Sequence, residues 1–303
     1  MKKAGCILFV LLILLFFLLE PESALDAARN GLSLWFTQLL PSLLPFCILS
    51  YIVLASGLFE RERPISGKKA KISGLEWYII CCGFLFGFPI GSKLTADSFR
   101  EGKISRKNAM FLSCFTNNLS PVFVTAALRE QLKIPVGVFT YLLIYGLPFA
   151  ACILCLCLKG TPVPLQKKSA SRFQLNKQII DAGIMSGFET LIRICGYVMI
   201  FSIIAEMIHL LPVGNELIKL TLTGCLEVTN GIGLLAESGL FLQQKYLLAI
   251  LFLCWNGLSG FCQTTSILRQ AELPVKNYLK MKLLLTAVTG MGAVLLLFFS
   301  SLL

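Results

Sequence analysis

The chain has 303 residues, of which 56% are apolar and only 14% are charged, with a mean hydropathy of +0.79. Soluble domains carry about 25% charge, so this chain cannot cover itself with polar surface and must count lipid as part of its solvent. The net charge of +11 does not point to nucleic acid, because the Lys and Arg residues sit in short clusters between apolar runs and form no basic face with interleaved aromatics.

In chain order, Met1-Lys2-Lys3 leads into an apolar run ending at Leu19. It resembles a signal sequence, but Glu20, Pro21 and Glu22 follow without a small-x-small cleavage pattern, so an uncleaved anchor helix is expected. Seven stretches approach the length needed to cross a bilayer as helices: 4–19, 32–58, 109–128, 135–158, 184–211, 246–266 and 279–302. In 32–58, Gln38, Pro41 and Pro45 interrupt the apolar run and predict a kinked helix. Two further apolar segments, 77–98 and 217–238, are broken by Gly, Pro and polar residues around FGFPIGSKLTADS and LEVTNGIGLLAES. If both return to the side they entered, 21 of the 27 Lys and Arg fall on one side, five on the other, and Arg193 lies in a span. Lys280 and Lys282 are counted with the loop charges. That bias sets the N-terminus in the cytoplasm.

The halves resemble each other. FTNNLSP at 115–121 lies over CWNGLSG at 254–260, which matches Asn117 with Asn256 and Ser120 with Ser259. FPIGSKLTADS at 88–98 lies over VTNGIGLLAES at 228–238, matching Gly91 with Gly231, and the span after Gly31 corresponds to the span after Gly187. Each unit reads span, broken hairpin, span, and the span at 135–158 turns the second unit over. The expected fold is therefore an all-α polytopic membrane protein of about seven transmembrane helices plus two re-entrant helical hairpins in an inverted-topology repeat. Its parts are an anchor helix and outer loop (1–30), a first repeat (31–130), a connecting helix with a basic cytoplasmic linker (131–180) and a second, inverted repeat (181–303).

Asn117, Asn118, Ser120, Asn256 and Ser259 fall near the centres of their spans, beside the helix breakers Pro121, Gly257 and Gly260. An unpaired amide in hydrocarbon costs several kcal/mol, so these groups face protein, water or a solute. Broken helices offer partial charges and free backbone groups to a bound molecule. The hairpins add Pro89, Gly91 and Ser92 on one side and Glu227, Thr229 and Asn230 on the other. The candidate solute-binding set is Asn117, Asn118, Ser120, Glu227, Thr229, Asn230, Asn256 and Ser259. The competing reading for each is interhelical hydrogen bonding, worth about 0.6–2 kcal/mol apiece. Glu227, an ionisable group inside the membrane, carries a coupling proton or receives a solute hydroxyl, or is held in a watery vestibule. Glu189 and Arg193 stand four residues apart and read as a mutual ion pair. His209, near Glu206 at a helix end, reads as structural.

No catalytic, metal or cofactor site is expected. No span carries paired carboxylates, a His-x-x-x-His pattern or a Ser with a His base, and the twelve cysteines lie inside apolar stretches as packing residues. Expected partners are membrane lipids, which suit the basic loop 159–180, and a small polar solute, with no nucleic acid.

GFPIGSKLTADSFREGKIS followed by FTNNLSPVFV, with WFTQLLPSLLPF and LEVTNG, resembles the sporulation integral membrane protein family of YlbJ type over nearly the whole chain. The resemblance implies a nucleoside recognition, or Gate, domain, similar in layout to concentrative nucleoside transporters and to the gate region of ferrous iron transporters. It also implies a multi-pass protein of the mother-cell or forespore membrane that acts in endospore and cortex formation. Further partners would be a second copy of the chain or other spore-envelope membrane proteins. It implies no particular solute, and a membrane scaffold for envelope assembly stands as the alternative to a transporter.

Overall fold

The computed structural model describes residues 2–59, 72–159, 175–212 and 214–299. The basic segments 60–71 and 160–174, to which the charge bias assigned loops, lie outside the described residues. Among the described residues all regular structure is helical.

A first helix, α1 (Lys2–Leu19), is followed without a loop by α2 (Pro21–Leu34), a π-helical turn (Trp35–Leu39) and α3 (Leu40–Ala55). Pro21 suits the first turn of α2, where its missing N–H is needed by no intrahelical bond. Residues 21–30 are thus helix rather than an outer loop, and the span expected at 32–58 begins at Pro21. The π turn precedes Pro41 and a second one (Leu142–Gly146) precedes Pro148. A proline ring clashes with the carbonyl four residues back, and widening the helix there relieves that contact without ending the helix.

Next come α4 (Gly74–Leu85) and α5 (Ile90–Arg100), joined at 86–89, then α6 (Arg106–Phe115), α7 (Pro121–Thr125), a π turn (Ala126–Gln131), α8 (Val138–Tyr141) and α9 (Leu147–Lys159). The second half holds α10 (Lys177–His209), α11 (Glu216–Leu226), α12 (Val228–Glu237), α13 (Leu242–Trp255), α14 (Gly257–Gln270) and α15 (Val275–Phe299). Caps fix several starts. Ser73 and Glu76 form a capping box at α4, and Asn176 accepts the Ile179 N–H at 2.9 Å at the start of α10.

The same order of elements occurs twice: a long helix (21–55; 177–209), a helical hairpin (74–100; 216–237), an interrupted helix (106–131; 242–270) and a long helix (138–159; 275–299). The stretch expected to cross as one helix at 109–128 is instead broken over Thr116–Ser120. Pro121 cannot donate to the preceding turn and disfavours helical backbone at Ser120, so α7 must start afresh. Among the described residues five helical stretches are long and apolar enough to cross a membrane: Pro21–Ala55, Val138–Leu158, Lys177–His209, Leu242–Gln270 and Val275–Phe299; Ile7–Leu19 and Gly74–Leu85 are shorter apolar helices.

α2 and α3 lie along α10, pinned where the Trp35 indole donates to the Leu191 carbonyl at 2.8 Å. A Cβ on Gly31 would sit 3.0 Å from Met199 Cα, and one on Gly187 3.0 Å from Leu44 Cδ1. Each matched glycine therefore sits at the close contact between these long helices. One apolar core surrounds the first hairpin, with Ile79, Ile90, Leu112 and Cys152; the other surrounds the second, with Leu128, Ile232, Ile250 and Phe252. Leu18 (79% exposed) and Phe298 (82%) face outward while Asn117 (1%) is buried. Apolar groups outside and polar groups inside is the arrangement lipid demands.

Candidate functional site

Each hairpin tip reaches the helix interruption of its own half, and Phe88 of the first tip also lies against Gly260. At the first, the Phe88 N–H donates to Asn118 O at 2.6 Å. A Cβ on Gly87 would lie 2.4 Å from Ser120 N, so only glycine lets this tip seat. At the second, the Trp255 indole donates to Cys225 O at 2.8 Å, and a Cβ on Gly257 would lie 2.9 Å from Leu226 O. Asn256, with φ +67°, both ends α13 and begins α14. Asparagine tolerates that left-handed backbone better than most residues.

The four pieces line a partly open cavity of about 80 Å³. The first tip lends Phe86 and Phe88, the first interruption Leu119 and Ser120, the second tip Glu227 and Thr229, and the second interruption Asn256, Ser259 and Gly260. Gln263, Leu39 and Leu43, and Ile194 and Val198 of α10 add to the wall.

Each polar group has a local reason to be there. Ser120 caps α7 by accepting from Phe123 N at 3.2 Å. Glu227 caps α12, accepting from Asn230 N at 2.8 Å and from the Thr229 hydroxyl. A carboxylate at a helix start is stabilised by the positive end of the helix dipole. Ser259 Oγ accepts from Gln263 Nε2 at 3.0 Å. The α12 and α14 starts border the cavity and bring N–H donors to it, while Glu227, Asn256 and Gln263 bring acceptors. The site can therefore hold a molecule that both gives and receives hydrogen bonds.

Asn117 is the hub behind the cavity. Its amide nitrogen donates to Thr264 Oγ1 at 2.7 Å and to Tyr278 OH at 2.8 Å. Thr264 spends its own proton on Gly260 O, which fixes the orientation of the Asn117 amide. The Asn117 backbone oxygen accepts from Asn256 Nδ2 at 3.3 Å and from the Lys282 ammonium at 3.2 Å. The matched asparagines therefore touch. Asn117 Oδ1, Asn256 Oδ1 and Gln263 Oε1 are buried without a hydrogen-bond partner, and each such atom costs about 1–3 kcal/mol.

Of the eight residues named from sequence, Ser120, Glu227, Thr229, Asn256 and Ser259 line the cavity. Asn117 stands directly behind it. Asn118 donates to Phe115 O at 2.8 Å and steadies the first interruption. Asn230 reaches Ser202 Oγ at 3.2 Å, tying the second hairpin to α10. Gln263, Thr264, Tyr278 and Lys282 had not been singled out. Gln263 is four residues from Ser259 on the same face of α14, a spacing that could have flagged it. Lys282 is corrected from a loop charge to a buried residue of α15, 2% exposed. Glu189 and Arg193 do pair, at 2.5 Å. They line a second space of about 110 Å³ with Lys93, Asp97 and Arg100, which meets the central cavity at Ile194 and Gln263.

The described residues are all-helical in their regular structure, with apolar faces outward and polar groups such as Asn117 and Glu227 buried inside, which defines a helical membrane protein. It is similar to the sporulation integral membrane protein YlbJ of Bacillus subtilis (strain 168), with 27% identity across 88% of this chain and 75% of that relative. A likeness over that much of the sequence supports a YlbJ-type family. No family model matches the chain, and no solved structure matches it.

Proposed function

We propose that this chain is a multi-pass membrane protein of endospore formation that binds a small polar solute in the cavity between its hairpins and interruptions and passes it across the bilayer. The carrying observation is that Asn256 and Gln263, whose buried amide oxygens lack a hydrogen-bond partner, line a pocket that both halves of the chain build. Helix glue alone would pair such atoms; a solute that donates hydrogen bonds offsets their cost when it binds. The repeated order of elements supports an inverted repeat with its site at mid-membrane, the charge bias supports a cytoplasmic N-terminus, and the likeness to YlbJ supports the sporulation setting.

The test is an uptake screen of labelled metabolites in vesicles holding the purified protein, paired with Asn256→Leu in sporulating cells. Uptake of a polar solute that the variant abolishes, with membrane insertion intact, is the expected result. Normal resistant spores from Asn256→Leu, together with loss of function on charge reversal in 60–71 or 160–174, would favour a scaffold instead.

A further inference from the structure

Lys282 is the least expected group in the core. It is 2% exposed, takes part in none of the ion pairs among the described residues and has Asn117 O, at 3.2 Å, as its hydrogen-bond acceptor. The other titratable groups beside it are the Cys254 thiol on α13 and, one turn back on α15 and bonded to Asn117, the Tyr278 hydroxyl. An ammonium without a counter-ion is costly to bury, and a methionine of similar length would fill the space without that cost. A charge kept there despite its cost marks a function.

Its position says which. Asn117 lies just past the C-terminal end of α6, where helix carbonyls gather negative potential. The Asn117 carbonyl is shared between Lys282 and Asn256 Nδ2. With its nitrogen committed to that carbonyl, Asn256 keeps its Oδ1 unpartnered at the cavity. We propose that Lys282 is a positioning residue that supplies from within the chain the monovalent cation this interruption requires, holding the Asn117 carbonyl and, through it, the cavity-facing amide of Asn256. The protein then needs no sodium or potassium at this place. The inference rests on the solute-site reading only for its consequence, not for the cation itself.

Three variants of the full-length protein test it. Lys282→Met removes an uncompensated charge, so its melting temperature in detergent stays equal to wild type or rises, while resistant spores are lost. Lys282→Ala leaves room for a small cation. Methylammonium chloride should raise its melting temperature by about 3–5 °C and tetramethylammonium should not, with neither salt affecting wild type. Lys282→Arg, which keeps the charge, should retain part of the function. Wild type should melt alike in sodium, potassium and choline chloride. The proposal is overturned by a Lys282→Met protein that unfolds, by one that gives normal spores, by no response of Lys282→Ala to methylammonium, or by stabilisation of wild type specific to sodium or potassium. If Asn256→Leu gives normal spores, the solute reading fails, and the methylammonium and sodium results still decide the cation.

Discussion

Replacing Gly87 by alanine tests how the first hairpin seats. Gly87 has φ +76° and its new Cβ would stand 2.4 Å from the backbone nitrogen of Ser120. A left-handed backbone costs alanine about 1–2 kcal/mol. The contact then adds about 1–3 kcal/mol, because the obstacle is main chain and must itself move. Gly102 separates the two terms. It has φ +70° but nothing within 4 Å of its would-be Cβ, so Gly102→Ala carries the conformational cost alone. With about 2–4 °C lost per kcal/mol, Gly87→Ala should melt about 2–12 °C below Gly102→Ala in thermal unfolding by intrinsic fluorescence in detergent. Equal melting temperatures would refute the claim that the tip abuts the interruption.

Trp255→Phe removes the indole bond to Cys225 O and should cost about 1 kcal/mol, read as a lower melting temperature with the fold retained. Glu227→Ala strips the cap of α12 and should lose about 1–2 kcal/mol, whereas Glu227→Gln, which keeps an acceptor oxygen, should lose less by the same assay. Gly233→Ala, on an open helical position with nothing within 4 Å, should leave stability equal or raise it by about 0.5–1 kcal/mol. Asn117→Leu forfeits two hydrogen bonds but also removes an unpartnered oxygen. Its stability should shift by less than about 2 kcal/mol while resistant spores are lost.

The sequence showed the broken segments because hairpin tips need Gly, Pro and small polar residues whatever surrounds them, and the tips at 86–89 and Glu227 fall inside the segments named. The pairing of Asn117 with Asn256 was legible because both sit beside helix breakers at matched places. The break at Thr116–Ser120 was less so, since the surrounding run is apolar enough to pass for one helix; only Pro121 marks it. Lys282 was misplaced for a related reason. Counting charges per loop assumes every cation near a span end is wet, and a lysine partnered by a backbone oxygen from a distant segment leaves no local signature. Asn118 and Asn230 look like binding residues by composition, and only their hydrogen bonds to Phe115 O and Ser202 reveal a structural task.

The proposed membrane function stands on two hairpins that enter from opposite faces and meet near the middle. Side-specific labelling of single cysteines, introduced into a cysteine-free background at Gly74, Lys107, Glu216 and Gly239, tests this directly. The account expects 74 and 107 to react from one face and 216 and 239 from the other. Labelling of 74 and 107 from opposite faces would contradict it.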